Sequence, residues 1–245
     1  MFEDFIFLTK ICSKEKFADS FLDGELHMNT IDFFRKTEDK EDNNIADIHE
    51  GVSAWIQPNK VSLTLGFGND ELVLGPNDLA GPIIIKHDYY KYINVFCLTV
   101  LHSAGILGKR FTLDEFNEAK KNYQLDERLT NLGKYCIFIY NFDEFINRVK
   151  LAIKLHEEHI ENCTWGPVNY FDETNSHFAS DEISGVFKKR SCYSHQKEFR
   201  IAIQHKNQSE LPFILRIGSI RDIAIKIPTS QFNKLIRLNL KNKEN

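Results

Sequence analysis

The chain has little of several things that announce a function. No run of about 18 apolar residues occurs, which removes a membrane-spanning helix. The opening MFEDFIFLTK has neither a basic flank nor a small-residue cleavage site, so no secretory signal is expected and the expected location is cytoplasmic. The five cysteines, Cys12, Cys97, Cys136, Cys163 and Cys192, are widely spaced, odd in number and never form C-x-x-C. That pattern argues against a zinc site and a disulfide framework, and predicts reduced, mostly buried thiols. Excess charge of one sign is also missing. A net charge of -4 gives no overall electrostatic footprint for nucleic acid, although Phe187-Lys188-Lys189-Arg190 is locally basic. Repeats, low-complexity linkers and composition breaks are absent too. With 245 residues, 42% of them hydrophobic and 20 of them Phe, the chain can build a sizeable core, and a single α+β domain over residues 1–245 is predicted.

The apolar spacing outlines the elements. A strand is predicted over residues 4–11. A helix capped by Ser13 follows, with Phe17, Ala18, Phe21 and Leu22 on one face, and Gly24 ends it. A second strand begins at Glu25. Residues 36–49 (KTEDKEDNNIADIH) read as an acidic surface loop. The middle of the chain is largely β, with strands expected over 52–56, 61–67, 71–74, 83–86 and 95–101, and a hairpin turn at Gly66 to Asp70. Thr112-Leu113-Asp114-Glu115 is a capping box opening a helix. A strand over 135–140 precedes a long amphipathic helix marked by Phe142, Phe145, Ile146, Val149, Ile153, His156 and Ile160. Strands over 168–171, 199–204, 212–217 and 223–227 and a short helix capped by Thr229 complete the chain.

The most informative stretch is residues 187–204, FKKRSCYSHQKEFRIAIQ. From Phe199 the pattern alternates, with Phe199, Ile201 and Ile203 on one face and Glu198, Arg200, Ala202 and Gln204 on the other. If extended geometry begins at Gln196, Gln196 and Glu198 project to one side, roughly 6.5 to 7 Å apart. The same alternation also describes an ordinary solvated strand face.

A Gln-x-Glu pair entering a core strand resembles the third motif of ADP-ribosyltransferases. The opening FIFLTKICSKEKFADSFLDGELHMNTIDFFR is similar to their first module, especially in the nucleic-acid-modifying DarT type. The resemblance implies a mixed, largely antiparallel split β-sheet flanked by helices, NAD as co-substrate, and no metal. It makes Glu198 the catalytic carboxylate that grips the nicotinamide ribose, with Gln196 orienting the ribose or acceptor. The NAD pocket would include Thr9, Lys10, Met28, Asn29, Thr30, Phe33, Phe34 and Arg35. Lys10 stands where some family members carry arginine or histidine; either Arg35 or His27 substitutes from the second strand, or backbone hydrogen bonds around Thr9 and Lys10 hold the nicotinamide. Lys188, Lys189, Arg190 and Tyr193 would position the acceptor, with single-stranded nucleic acid preferred over protein. A toxin or phage-defence role with a neutralising partner protein follows from the same resemblance. The elements ELHMNTIDFFR, IADIHEG, FCLT, GPVNYF and YSHQKEFRI also follow in order the pattern of a widespread family of uncharacterised bacterial and phage proteins. That second resemblance supports one domain and names no chemistry.

Other motifs compete weakly. His156 and His159 stand three apart without forming H-E-x-x-H. Asp47 and Glu50 are carboxylates of the kind a nuclease needs, but they have no obvious lysine partner nearby in sequence, and a helix turn or loop salt bridge explains them more simply. The segment from Gly105 to Arg110 lacks full Walker spacing. The opposing class is an interaction module that keeps the fold without activity.

Overall fold

The computed structural model describes residues 6–37, 47–66, 68, 70–103, 110–180 and 182–237. Most of the expected acidic loop, the Gly105 segment, and Phe67 and Asn69 of the hairpin turn lie outside them.

The first module runs β1 (Ile6–Cys12), α1 (Glu15–Leu22), β2 (Glu25–Thr30) and α2 (Ile31–Thr37). Ala18, Phe21 and Leu22 of α1 are buried as their spacing predicts, whereas Phe17 is half exposed beneath the Lys14 and Lys16 ammonium groups. The N-cap is Lys14, without a side-chain cap, and not Ser13. Gly24 follows α1 at φ +91°, and a Cβ there would meet the Gly218 carbonyl oxygen at 1.9 Å, so the turn into β2 requires glycine.

The middle region carries β3 (Ala54–Ile56), β4 (Leu63–Leu65), β5 (Leu72–Leu74), β6 (Ile83–Ile85) and β7 (Asn94–His102). α3 (Leu113–Asn122) opens on the expected capping box, in which Thr112 Oγ1 accepts from the Glu115 amide and Glu115 accepts from the Thr112 amide. α4 (Glu127–Thr130), β8 (Tyr135–Ile139) and α5 (Phe142–Leu155) follow. The expected long helix is shorter than its spacing suggested. It ends at a His156 cap, and Ile160 reaches the core from a new strand, β9 (Ile160–Pro167). β9 pairs only with β13, and this edge position tolerates the sequence IENCTWGP, which lacks clean alternation. The remainder comprises β10 (Asn169–Phe171), β11 (Phe178–Ala179), β12 (Lys188–Arg190), β13 (Glu198–His205), β14 (Phe213–Arg216), β15 (Ala224–Pro228) and α6 (Phe232–Leu235).

The fold is α+β, with a principal sheet ordered β14-β2-β7-β1-β8-β15 and extended through β13 and β9 from β7. Its pairings are antiparallel; a small β10-β12 pair is parallel. β13 runs along one edge of β7 from Asn94 to Thr99. The other edge is shared: β2 pairs at Asn94 and Val95, and β1 pairs from Thr99 to His102. Between them, among the described residues, no strand pairs with Phe96 to Leu98 on that edge, because β1 departs after Thr9 to continue along β8 as far as Cys12.

One face of the sheet, with Leu8, Leu98, Ile137, Phe199, Ile201 and Ile203, packs under α1 and α5 through Phe21, Leu22, Phe145 and Val149. The opposite face has two apolar clusters. One gathers Leu101, Tyr123, Leu125, Leu129 and Phe232, the other Ile31, Tyr90, Ile93, Val95 and Ala202. The polar centre lies on this face.

Candidate functional site

Strand parity builds the centre. Thr99 on β7 pairs with Thr9 of β1 on one side and Glu198 of β13 on the other, so three adjacent strands present a row of polar side chains on one face. Two residues along, Arg200 pairs with Cys97 on the same face. The alternation read from the sequence holds from Glu198 onward. It does not extend back to Gln196, which ends a 3-10 turn over Ser191–Gln196. Lys197 then adopts φ +43°, a left-handed conformation uncommon outside glycine, and reverses the chain into β13. Its ammonium donates to the carbonyls of Lys121 (3.0 Å), Asn122 (3.4 Å) and Gln124 (3.4 Å) at the end of α3. The corner thereby delivers Gln196 beside Glu198 by a turn, not by a pleat.

Glu198 and Arg200 are not a solvated strand face: they are 5% and 2% exposed. With Glu50 and Lys189 they close a ring of alternating charge. The separations are 2.7 Å for Arg200 to Glu198, 3.2 Å for Glu198 to Lys189, 3.0 Å for Lys189 to Glu50 and 2.9 Å for Glu50 to Arg200. Lys189 also donates to Gln196 Oε1 at 2.8 Å. Arg200 further donates to the Val186 carbonyl, and the Tyr170 hydroxyl accepts from the Glu198 amide at 2.8 Å. Buried charges persist only where matched in this way, since removing one partner leaves another uncompensated.

Electrostatics follow from the ring. Burial alone would raise the Glu198 carboxyl, but the Arg200 guanidinium and Lys189 ammonium outweigh it and hold the group below the usual carboxylate range. Burial opposes the charged form of Lys189, yet Glu198 and Glu50 carry its titration above the ordinary lysine value. The Cys97 thiol is pushed well up by burial and then by the Glu198 carboxylate, and stays protonated.

Above this ring lies a cavity of ≈ 270 Å³. Its lining combines Thr9, Lys10, Ile11 and Ser13 from β1 and the following turn, Phe34 of α2, and Cys97, Leu98 and Thr99 of β7. Leu129, Leu132 and Gln196 join the four ring residues to complete it. Its lining therefore spans the gap where β1 leaves β7. Across that gap the Lys10 ammonium donates to the Cys97 carbonyl at 2.7 Å and lies 4.6 Å from the Phe96 ring centre. Among the described residues no carboxylate pairs with Lys10. The Thr9 hydroxyl, fully buried, has no hydrogen-bond partner among them either.

No protein-family model, curated protein or solved structure matches the chain.

The expected site residues divide. Thr9, Lys10, Phe34, Gln196, Glu198 and Lys189 line the one cavity. Met28 is instead in the core under α1 and α5, because it points to the apolar face of β2. Asn29 pairs with Val95 and is not in the lining. The Thr30 hydroxyl accepts from the Phe33 amide at the start of α2, and Phe33 is half exposed, edge-on to Phe34. Arg35 ties α2 to the following segment by donating to the Glu50 (2.7 Å) and Gly51 (3.2 Å) carbonyls. His27 is at the surface beside Glu25.

The expected basic edge for an acceptor does not form. Lys189 is a member of the buried ring, and Arg190 binds Asp47 at 2.9 Å and Glu173 at 3.1 Å. Tyr193 is buried, with Lys189 and Arg190 5.0 and 5.5 Å from its ring centre. Lys188 rests over Phe178. The strand parity of β12 explains the outcome, since Lys189 must face inward where Glu50 and Glu198 await it. His156 packs against Phe213 and His159 pairs with Glu158 at the surface. Among the described residues no three His, Cys, Asp or Glu side chains are grouped to hold a metal ion.

Of the two sequence readings of Asp47 and Glu50, nuclease carboxylates or partners in a turn or loop salt bridge, the structure shows salt bridges, Asp47 with Arg190 and Glu50 with Arg200 and a lysine. That lysine is Lys189, far along the chain. The available signal was charge matching: a core strand carrying Glu-Phe-Arg beside an inward lysine needs a second carboxylate.

Proposed function

We propose that the cavity binds NAD and that the chain is an NAD-dependent ADP-ribosyltransferase acting on a macromolecular acceptor. The observation that carries this reading is the meeting of Thr9 and Lys10, from one end of the chain, with Gln196 and Glu198, from the other, around one cavity. The interruption between β1 and β2 along β7 agrees with the split sheet that the resemblance implies.

Cleavage of the nicotinamide glycosidic bond builds positive charge on the ribose, which a fixed carboxylate stabilises. Glu198 stays ionised through the neutral range and has little freedom to move away. Lys10, whose charge is unmatched by any carboxylate among the described residues, suits the diphosphate. At ≈ 270 Å³ the cavity is below the roughly 300 to 1,000 Å³ typical of sites that enclose a drug-sized ligand, so it suits the nicotinamide riboside end, with the adenylate over the mouth. The Lys188 to Arg190 run no longer supports nucleic acid as acceptor.

The closed ring favours a second reading, an interaction module whose buried charges are purely architectural. Release of nicotinamide from NAD by the purified chain separates the two. Release abolished by Glu198→Gln supports the enzyme, and a folded protein that neither binds nor cleaves NAD supports the module.

A further inference from the structure

The NAD reading leaves one chemical role unfilled. An acceptor hydroxyl or amine attacking the ribose must lose a proton, and Gln196, an amide, cannot take it. Among the cavity residues Lys10, Lys189 and Arg200 act as donors, the Cys97 thiol is protonated, and hydroxyls are poor bases at neutral pH. Both oxygens of Glu198 already accept from Arg200, Oε1 at 2.7 Å and Oε2 at 3.1 Å.

Glu50 is different. It is 1% exposed and lines the cavity. Its Oε1 faces Lys189 at 3.0 Å and Arg200 at 2.9 Å, whereas Oε2 lies 2.9 Å from Arg200 as an ion pair but accepts no hydrogen bond among the described residues. Lys189 holds Glu50 and Glu198 at 3.0 and 3.2 Å, so the two carboxylates sit beside one ammonium at the wall of the cavity.

We infer that Glu50 is the general base of this site, and this inference rests on the NAD reading. The acceptor X–H transfers its proton to Glu50 Oε2 as X bonds to the ribose C1′. The C1′–N bond breaks with its electron pair remaining on the nicotinamide nitrogen, which discharges the pyridinium. ADP-ribosyl-X and neutral nicotinamide leave, and Glu50 returns the proton to water. The charged groups facing Glu50 are Lys189 of β12, Arg200 of β13 and, at its backbone carbonyl, Arg35 of α2; Glu198 lies beyond Lys189 and Arg200.

Water and azide serve as acceptors in the test, because azide is an anion and needs no base. With the full chain and NAD, Glu50→Gln is expected to slow hydrolysis by about 10²-fold or more. Azide should restore nicotinamide release in that variant and yield ADP-ribosyl azide, while Glu198→Gln stays inactive with azide. Undiminished hydrolysis by folded Glu50→Gln overturns the assignment, as does a loss that azide cannot restore, which would leave Glu50 only holding Lys189 and Arg200. The wild-type protein gives an independent reading should the variant fail to fold. Its hydrolysis should be slower in heavy water while its reaction with azide is not, and equal solvent isotope effects overturn the base. Wild-type protein that releases no nicotinamide under any of these conditions overturns the NAD reading itself.

Discussion

Glu50 and Arg200, separated by 150 positions, meet at 2.9 Å in the interior. Their contact joins a short turned segment to the central strand, so the wall of the cavity and the stability of the fold depend on the same charges.

Glu198→Gln should therefore do two things. NAD cleavage is expected to drop on the order of 10² to 10³-fold, as when one electrostatic stabiliser is removed. The fold should also weaken by about 3 to 5 kcal/mol, because Lys189 and Arg200 remain buried with one carboxylate between them. Nicotinamide release per folded molecule, alongside calorimetric unfolding, checks both. Undiminished release from folded protein refutes the catalytic role.

Lys10→Ala and Asn29→Ala should part company. Losing the Lys10 ammonium should weaken NAD binding about ten- to a hundredfold, the worth of a hydrogen bond to a charged group. Asn29→Ala, outside the cavity lining, should leave affinity unchanged. Titration calorimetry decides, and equal affinities for wild type and Lys10→Ala would move the pocket elsewhere.

Asp47→Asn should destabilise the chain by about 3 kcal/mol or more, since the fully buried Asp47 carboxylate both pairs with Arg190 and accepts from the His49 amide at 2.8 Å. Lys121→Ala breaks only the exposed pair with Glu118 and should change stability by about 0.5 kcal/mol or less. Urea unfolding at low and high salt compares them, and similar losses would contradict the burial argument. Neutralising Lys188, Lys189 and Arg190 together would chiefly unfold the protein, so Lys188→Ala is the usable probe of acceptor binding.

The ring sets a stability plateau bounded by pH. Glu198 has a folded pKa below its ordinary value of 4.5, so its contribution is complete above that value and is lost as pH falls through the folded pKa. Lys189 has a folded pKa above its ordinary 10.5, so its contribution is complete below that value and is lost as pH rises through the folded pKa. Melting temperatures of the wild type minus those of Glu198→Gln should be flat in the neutral range and shrink below pH 4.5. A difference that grows on acidification would reverse the sign of the coupling.

Much of the fold was legible because its strands and helices keep strict periods. β13 alternates, α3 carries its box, and Gly24 marks its turn. β9 was missed because Ile160 falls at a helical spacing from His156, and sequence spacing does not show which element delivers a side chain to the core. The site was half legible. Thr9, Lys10, Gln196 and Glu198 were named from local pattern. Glu50 and Lys189 acquire their meaning only from each other across the chain, and a lysine bound inward has the same sequence appearance as one in water.

The left-handed turn at Lys197 has a kinetic consequence. That backbone conformation costs a non-glycine residue about 1 to 2 kcal/mol, and its compensation is the hold of the ammonium on carbonyls that exist as a cluster only after α3 has formed against β7. Locally the corner has the Lys197 amide on the Ser194 carbonyl (3.1 Å), while the ammonium's hold waits for α3, so the corner is expected to set after the rate-limiting step. Lys197→Met, which keeps the left-handed strain and loses the ammonium, should accordingly quicken unfolding and leave the refolding rate nearly unchanged in stopped-flow measurements. A slowed refolding arm would put the corner in the nucleus. If the late order holds, Gln196 and the mouth of the cavity are the last features of the molecule to appear and the first to be lost.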